Sequence, residues 1–140
     1  MNRWQHSGPP SRLQRFYEKH TGHGLTSRGL RQQCRLYRGT GGASEDNRAE
    51  GFIPAFLNRE NGEVHLSVSS DGQVCSVHTL DGLPDSVVVR RNRNGMVTAV
   101  RSCIVAGFVR NGHFYTREQA AEEVSQRTTV AVRSNSMVNA

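Results

Sequence analysis

The chain has 140 residues and a formal net charge of +6, with 18 basic residues, nearly all arginine, against 12 acids. A chain of this length buries one hydrophobic core and is too small for two independent ones. No run approaches the roughly eighteen apolar residues of a membrane span, and Arg3 is not followed by the apolar stretch of a secretory signal, so a protein of the cytoplasm that does not engage a membrane is expected.

Residues 1–10 (MNRWQHSGPP) form a leader in which Gly8, Pro9 and Pro10 block regular structure. A short helix follows. Ser11 and Gln14 make a capping-box pattern, Leu13, Phe16, Tyr17 and His20 recur at helical spacing, and Gly22 can end the run. A second helix is expected from about Arg28 to Tyr37, capped by Thr26 or Ser27 and terminated near Gly39, with Leu30, Cys34 and Tyr37 as its apolar stripe.

Residues 39–50 (GTGGASEDNRAE) read as a linker, glycine-rich and then charged. The charge divides at the same place. Residues 1–44 hold eight basic side chains against one acid, Glu18, and the remainder holds ten arginines against eleven acids. The chain therefore reads as a basic helical arm (1–44), a linker (45–50), a β-rich core with a terminal helix (51–125) and a loosely held tail (126–140).

From Gly51 the apolar period changes from 3.6 to 2, and eleven of fifteen valines lie between residues 64 and 109. Five Asx-Gly pairs, Asn61-Gly62, Asp71-Gly72, Asp81-Gly82, Asn94-Gly95 and Asn111-Gly112, punctuate this region. Four fit two-residue hairpin turns, which need positive φ at both central positions; Pro84 makes the loop at Asp81-Gly82 wider. Folding EVHLSVSSDGQVCSVHTL about Asp71-Gly72 sets 68 opposite 75 and 65 opposite 78. Val64, Leu66, Val68, Cys75 and Val77 then face inward, and His65, Ser67, Ser69, Ser76 and His78 face solvent. Pro54 places its strand at a sheet edge, and the register of SVVVRRNRNGMVTAV stays open. Thr116 and Gln119 repeat the capping box and open a helix to about Val124 with Ala120, Ala121 and Val124 on its apolar face. The expected fold class is α+β: two short N-terminal helices, an antiparallel meander of about five or six strands that can curl toward a small barrel, and one C-terminal helix.

The basic arm is the candidate site. At 100° per residue Arg28, Arg31, Arg35 and Arg38 fall within an arc of about 80° beside the apolar stripe. Arg28 sits in the first turn, where the helix macrodipole disfavours a cation, so helix stability does not explain it. A nucleic-acid phosphate would. Arg12, Arg15 and Lys19 add charge from the preceding helix, and Gln32 and Gln33 could reach base edges. A solvated helix face is the commonest fate of such a stripe, and an acidic protein surface is a further possible partner.

Other constellations are thinner. Val64-His65-Leu66-Ser67-Val68 resembles the hydrophobic-His-x-Ser/Thr element of the two-histidine phosphoesterases over five residues; the second element those enzymes need is missing, and the next histidine, His78, is followed by Thr-Leu, one position short of the pattern. His20, His23 and Cys34 supply three zinc-type ligands without a fourth, so neither metal nor cofactor is expected. Cys34, Cys75 and Cys103 lie in apolar contexts at unpatterned spacing, as buried thiols do and disulfide frameworks do not. The first functional expectation is a small non-enzymatic nucleic-acid-binding accessory protein, DNA or RNA being open. The second is a protein-interaction module, an adaptor or inhibitor of a bacterial or phage system acting through its sheet, and a small hydrolase using His65 and His78 is the third.

Overall fold

The computed structural model describes residues 24–138. The leader, the first expected helix with its Arg12, Arg15, Lys19 and His20, and His23 after it lie outside them. The described chain is α+β, with three α-helices, α1 (Ser27–Leu36), α2 (Ser44–Asn47) and α3 (Arg117–Val138), and two antiparallel sheets. One sheet has four strands in the order β2 (Val64–Leu66), β1 (Ile53–Asn58), β5 (Ile104–Arg110) and β6 (His113–Thr116). The other is a ribbon of β3 (Val88–Arg91) and β4 (Val97–Val100). No barrel closes.

The strands therefore do not form a single meander. β1 pairs with both β2 and β5, because residues 67–103 leave the sheet, build the ribbon, and return. This puts Pro54 in an interior strand, against the expectation of an edge. The ring is tolerated because of where it falls in the ladder. Pro54 contributes only its carbonyl, which accepts from Ser67 N (2.8 Å), and the Ser67 carbonyl is satisfied by Cys75 N instead (2.8 Å).

Of the Asx-Gly pairs only Asn111-Gly112 is a two-residue turn with positive φ at both positions (53° and 78°), joining Arg110 to its partner His113. The others are wider, because neighbouring Asx side chains cap backbone N–H groups: Asn61 Oδ1 accepts from Glu63 N (2.9 Å), Asp71 Oδ1 from Gln73 N (3.3 Å), and Asn92 Oδ1 from Asn94 N (2.9 Å) and Met96 N (3.0 Å).

One face of the four-stranded sheet carries the main core, with Phe56, Ala106 and Phe108 at alternate positions. Phe56, Ile104 and Ala106 pack with Leu25 and Leu30 of the α1 region, Leu80, Leu83, Val87, and Val97 and Val100 of β4. Phe108 packs with Phe52 and with Ala120 of α3. A smaller cluster of Ala55, Leu57 and Phe114 belongs to the opposite face.

α3 opens on the expected capping box, Thr116 N donating to Gln119 Oε1 (3.0 Å) and Gln119 N to Thr116 Oγ1 (3.1 Å). It continues past Val124 to Val138, so the segment after 125 is helical where a loose tail was expected. Residues 39–50 are also folded. A side chain at Gly41 would collide with Val124 and Ala120 of α3, and one at Gly42 with Tyr37 and Arg117. These glycines allow close backbone approach, a role that composition cannot distinguish from flexibility.

Candidate nucleic-acid interface

α1 begins where the sequence places it. Thr26 is its N-cap, its hydroxyl accepting from Gly29 N (2.9 Å), and the helix ends at Leu36 with Tyr37 as C-cap. Gly29, Leu30 and Gln33 are buried, Cys34 and Tyr37 half-buried, and Arg28, Arg31 and Arg35 exposed. Those three arginines form no ion pair among the described residues. Arg38 lies beyond the helix end, so helical geometry does not hold it in the stripe; its guanidinium sits 3.5 Å from the Glu45 carboxylate, both well exposed. Gln33 is turned inward and cannot reach a base edge; Gln32 is exposed.

What turns Gln33 inward is Arg117. From the first turn of α3 its buried guanidinium donates to Gln33 Oε1 (3.0 Å) and the Gly42 carbonyl (2.8 Å), and lies 3.6 Å from Cys34 Sγ and 3.1 Å from His78 Nδ1. A cation is disfavoured in a first helical turn by about 0.3–1 kcal/mol, so the network must outweigh that. Each partner left buried and unpaired would cost about 1–3 kcal/mol. Arg117 thus fixes the rotation of α1 and, with it, which arginines face outward. Nothing in the pattern of residue 117 signals this.

His78 was expected on a solvent face beside His65. It is instead half-buried and turned inward between two core rings, edge-on to Phe56 (5.3 Å between ring centroids) and Phe108 (5.2 Å). Its Nε2 meets the Gly107 carbonyl at 2.7 Å, which requires the proton there and leaves Nδ1 to accept from Arg117. Burial first, and the Arg117 charge second, push its pKa down to about 3. The hairpin that was to pair the two histidines is reduced to one bridge, Val68 to Val74, one residue out of the expected register. Ser67 is fully buried, donating to the Val77 carbonyl (2.9 Å) and accepting from Thr79 N (2.8 Å), while Leu66, Val74 and Val77 are exposed. At Leu66, Ser67, Val77 and His78 inside and outside are exchanged relative to the apolar pattern, because Ser67 braces the chain that delivers His78, whereas Val64 packs inward and Ser76 is exposed as expected. His65 pairs with Phe56, its Nε2 3.5 Å from Glu63 Oε2. With both His78 nitrogens engaged, the pair offers no shared proton relay.

Tyr37 borders the same network. Its hydroxyl is hydrogen-bonded to Glu118, and burial followed by the Glu118 charge raises its pKa to about 12. No group of three or more metal-type ligands occurs among the described residues, and none of their helices is long and apolar enough to cross a membrane. No protein-family model matches the chain, and no curated protein or solved structure matches it.

Proposed function

We propose that the protein is a small non-enzymatic nucleic-acid-binding protein that presents the exposed face of α1 to phosphates. The observation that carries this reading is the set Arg28, Arg31 and Arg35, exposed on one helix and without ion pairs among the described residues. α1 has no acid in its first turn, so Arg28 there is uncompensated by the helix, whereas Arg35 suits the last turn, and a polyanion would compensate the mutual repulsion of the three. Arg38 contributes after releasing Glu45, an exchange that costs little because exposed ion pairs contribute about 0–1 kcal/mol. Arg12, Arg15 and Lys19 add charge from the preceding segment. The test is a fluorescence titration of the full chain against mixed DNA and RNA at two salt concentrations. Binding should weaken steeply with salt, the log-log slope falling by about one per Arg→Gln change. Absent or salt-independent binding would sink the reading.

One observation favours a second reading, a protein-interaction module. Leu66, Val74 and Val77 expose apolar surface on one segment, the two valines by 56 % and 53 %. A partner that survives nuclease treatment and is lost with Val74→Ser/Val77→Ser would support it.

A further inference from the structure

The β3–β4 ribbon is a sheet of its own that packs Val97 and Val100 into the main core and adjoins the N-terminal end of α1. Ala99 of β4 pairs with Arg90 on one side and bridges to Thr26, the α1 N-cap, on the other. Val100 N donates to the Leu25 carbonyl (3.0 Å). With adjacent strands about 4.8 Å apart, the backbones of Arg90 and Thr26 are separated by roughly 10 Å. Arg28 lies two residues further on. The ribbon and the N-terminal end of α1 therefore belong to one end of the molecule.

Every residue from Val89 to Met96 is exposed, and this stretch holds Arg90, Arg91 and Arg93 with no acid. The cations are not equivalent. Arg91 is used internally, donating to Asp85 Oδ1 (2.7 Å) and the Gly95 carbonyl (2.9 Å), which braces the turn against the ribbon's base. Arg90 and Arg93 form no ion pair among the described residues. Two register shifts between β3 and β4 add twist and blunt the outer edge against pairing with another strand. Val89 and Met96, about half exposed, flank the turn with apolar atoms.

We propose that this ribbon is a second contact element, which enters the major groove of B-form duplex DNA while α1 holds the adjacent phosphates. The proposal rests on the reading of α1 given above and names its partner. The occupant follows from shape as well as charge. A B-DNA major groove is about 12 Å wide and 8.5 Å deep and admits a two-stranded ribbon, whereas that of A-form RNA is too deep and narrow for side chains to read. The part that projects is Val89 to Met96, because Val97, Ala99 and Val100 of β4 are buried, so the turn and the long side chains of Arg90 and Arg93 are what reach toward the groove floor. Arg90 and Arg93 bring phosphate or guanine contacts, and Val89 and Met96 suit thymine methyl groups.

The test is fluorescence anisotropy of the full chain with a 20-base-pair DNA duplex, the matching RNA duplex and single-stranded DNA, each at two salt concentrations. Arg90→Gln/Arg93→Gln is compared with Arg28→Gln/Arg31→Gln/Arg35→Gln, and thermal melts establish that both variants fold. The expected result is preference for the DNA duplex, with the ribbon variant losing about tenfold or more in affinity and about two units of log-log salt slope. A ribbon variant that binds as the parent does, beside a weakened α1 variant, overturns the ribbon proposal and leaves the α1 reading standing. Equal or tighter binding to the RNA duplex or single strand overturns the B-DNA assignment. If the parent chain binds none of the three, both readings fall.

Discussion

Arg117 Nε donates to Gln33 Oε1 across 84 positions of the chain, at 3.0 Å and out of contact with water. This bond ties the first turn of α3 to the inner face of α1. It makes the outward set of arginines a consequence of the core.

Replacing Arg117 with Ala should therefore destabilise the protein by about 3 kcal/mol or more, since Gln33 Oε1 and the Gly42 carbonyl are left buried without donors. Gln33→Ala should cost about 1–2 kcal/mol. A double-mutant cycle read by urea denaturation should give a coupling of about 0.5–3 kcal/mol. Strictly additive losses would mean that the bond does not hold α1.

The pH dependence of stability should carry the signature of His78. Its folded pKa, about 3, lies below the ordinary value of 6.5, so between these limits the unfolded chain binds one more proton than the folded one. Its contribution is full above pH 6.5 and is lost as pH falls toward 3. His78→Gln should remove that one-proton slope from a plot of unfolding free energy against pH. Tyr37 acts at the other end. With its pKa raised from 10 to about 12, its contribution is intact below pH 10 and declines as pH rises toward 12, a decline that Tyr37→Phe should abolish.

Arg110 offers an asymmetric pair of substitutions. Its side chain is buried over the Phe52 ring (4.3 Å to the centroid) and near Tyr115, with Glu123 Oε1 3.0 Å from Nη2, and with Nε and Nη1 lacking hydrogen-bond partners among the described residues. Glu123→Gln should lower stability by about 1–3 kcal/mol by stranding a buried cation. Arg110→Met should be near neutral or stabilising, because Glu123 can hydrate once released. Denaturant midpoints of the two variants would decide it, and equal losses would contradict the argument.

Gly107 and Gly112 separate packing from backbone strain. A Cβ at Gly107 would overlap the Tyr115 carbonyl and the Phe114 ring, whereas one at Gly112 meets no atom but inherits a φ of +78°. Gly112→Ala should cost about 1–2 kcal/mol. Gly107→Ala should cost clearly more, since relief requires β5 and β6 to separate, and thermal melts of the two would reverse in order if that packing were slack.

The sequence by itself determined the local features whose energetics are local. The N-cap at Thr26 or Ser27, the capping box at Thr116 and Gln119 and the α+β class were legible, because each depends on residues a few positions apart. Of the four expected two-residue turns only Asn111-Gly112 formed, the side-chain caps of Asn61, Asp71 and Asn92 widening the others. The outward placement of Arg28, Arg31 and Arg35 was legible too, through the apolar stripe of Leu30, Cys34 and Tyr37. Pairings across long separations were not. Only the tertiary structure decided that β1 is interior despite Pro54, that the glycines at 41 and 42 are packed against α3, and that Ser67 and His78 are inside while Val74 and Val77 are outside. The reason is physical. A buried polar group is stabilised by partners anywhere in the chain, and the partners of His78, Gly107 and Arg117, lie 29 and 39 residues away. Period-two patterning assumes that polar residues face water, and the hydrogen bonds of Ser67 and His78 overrule it.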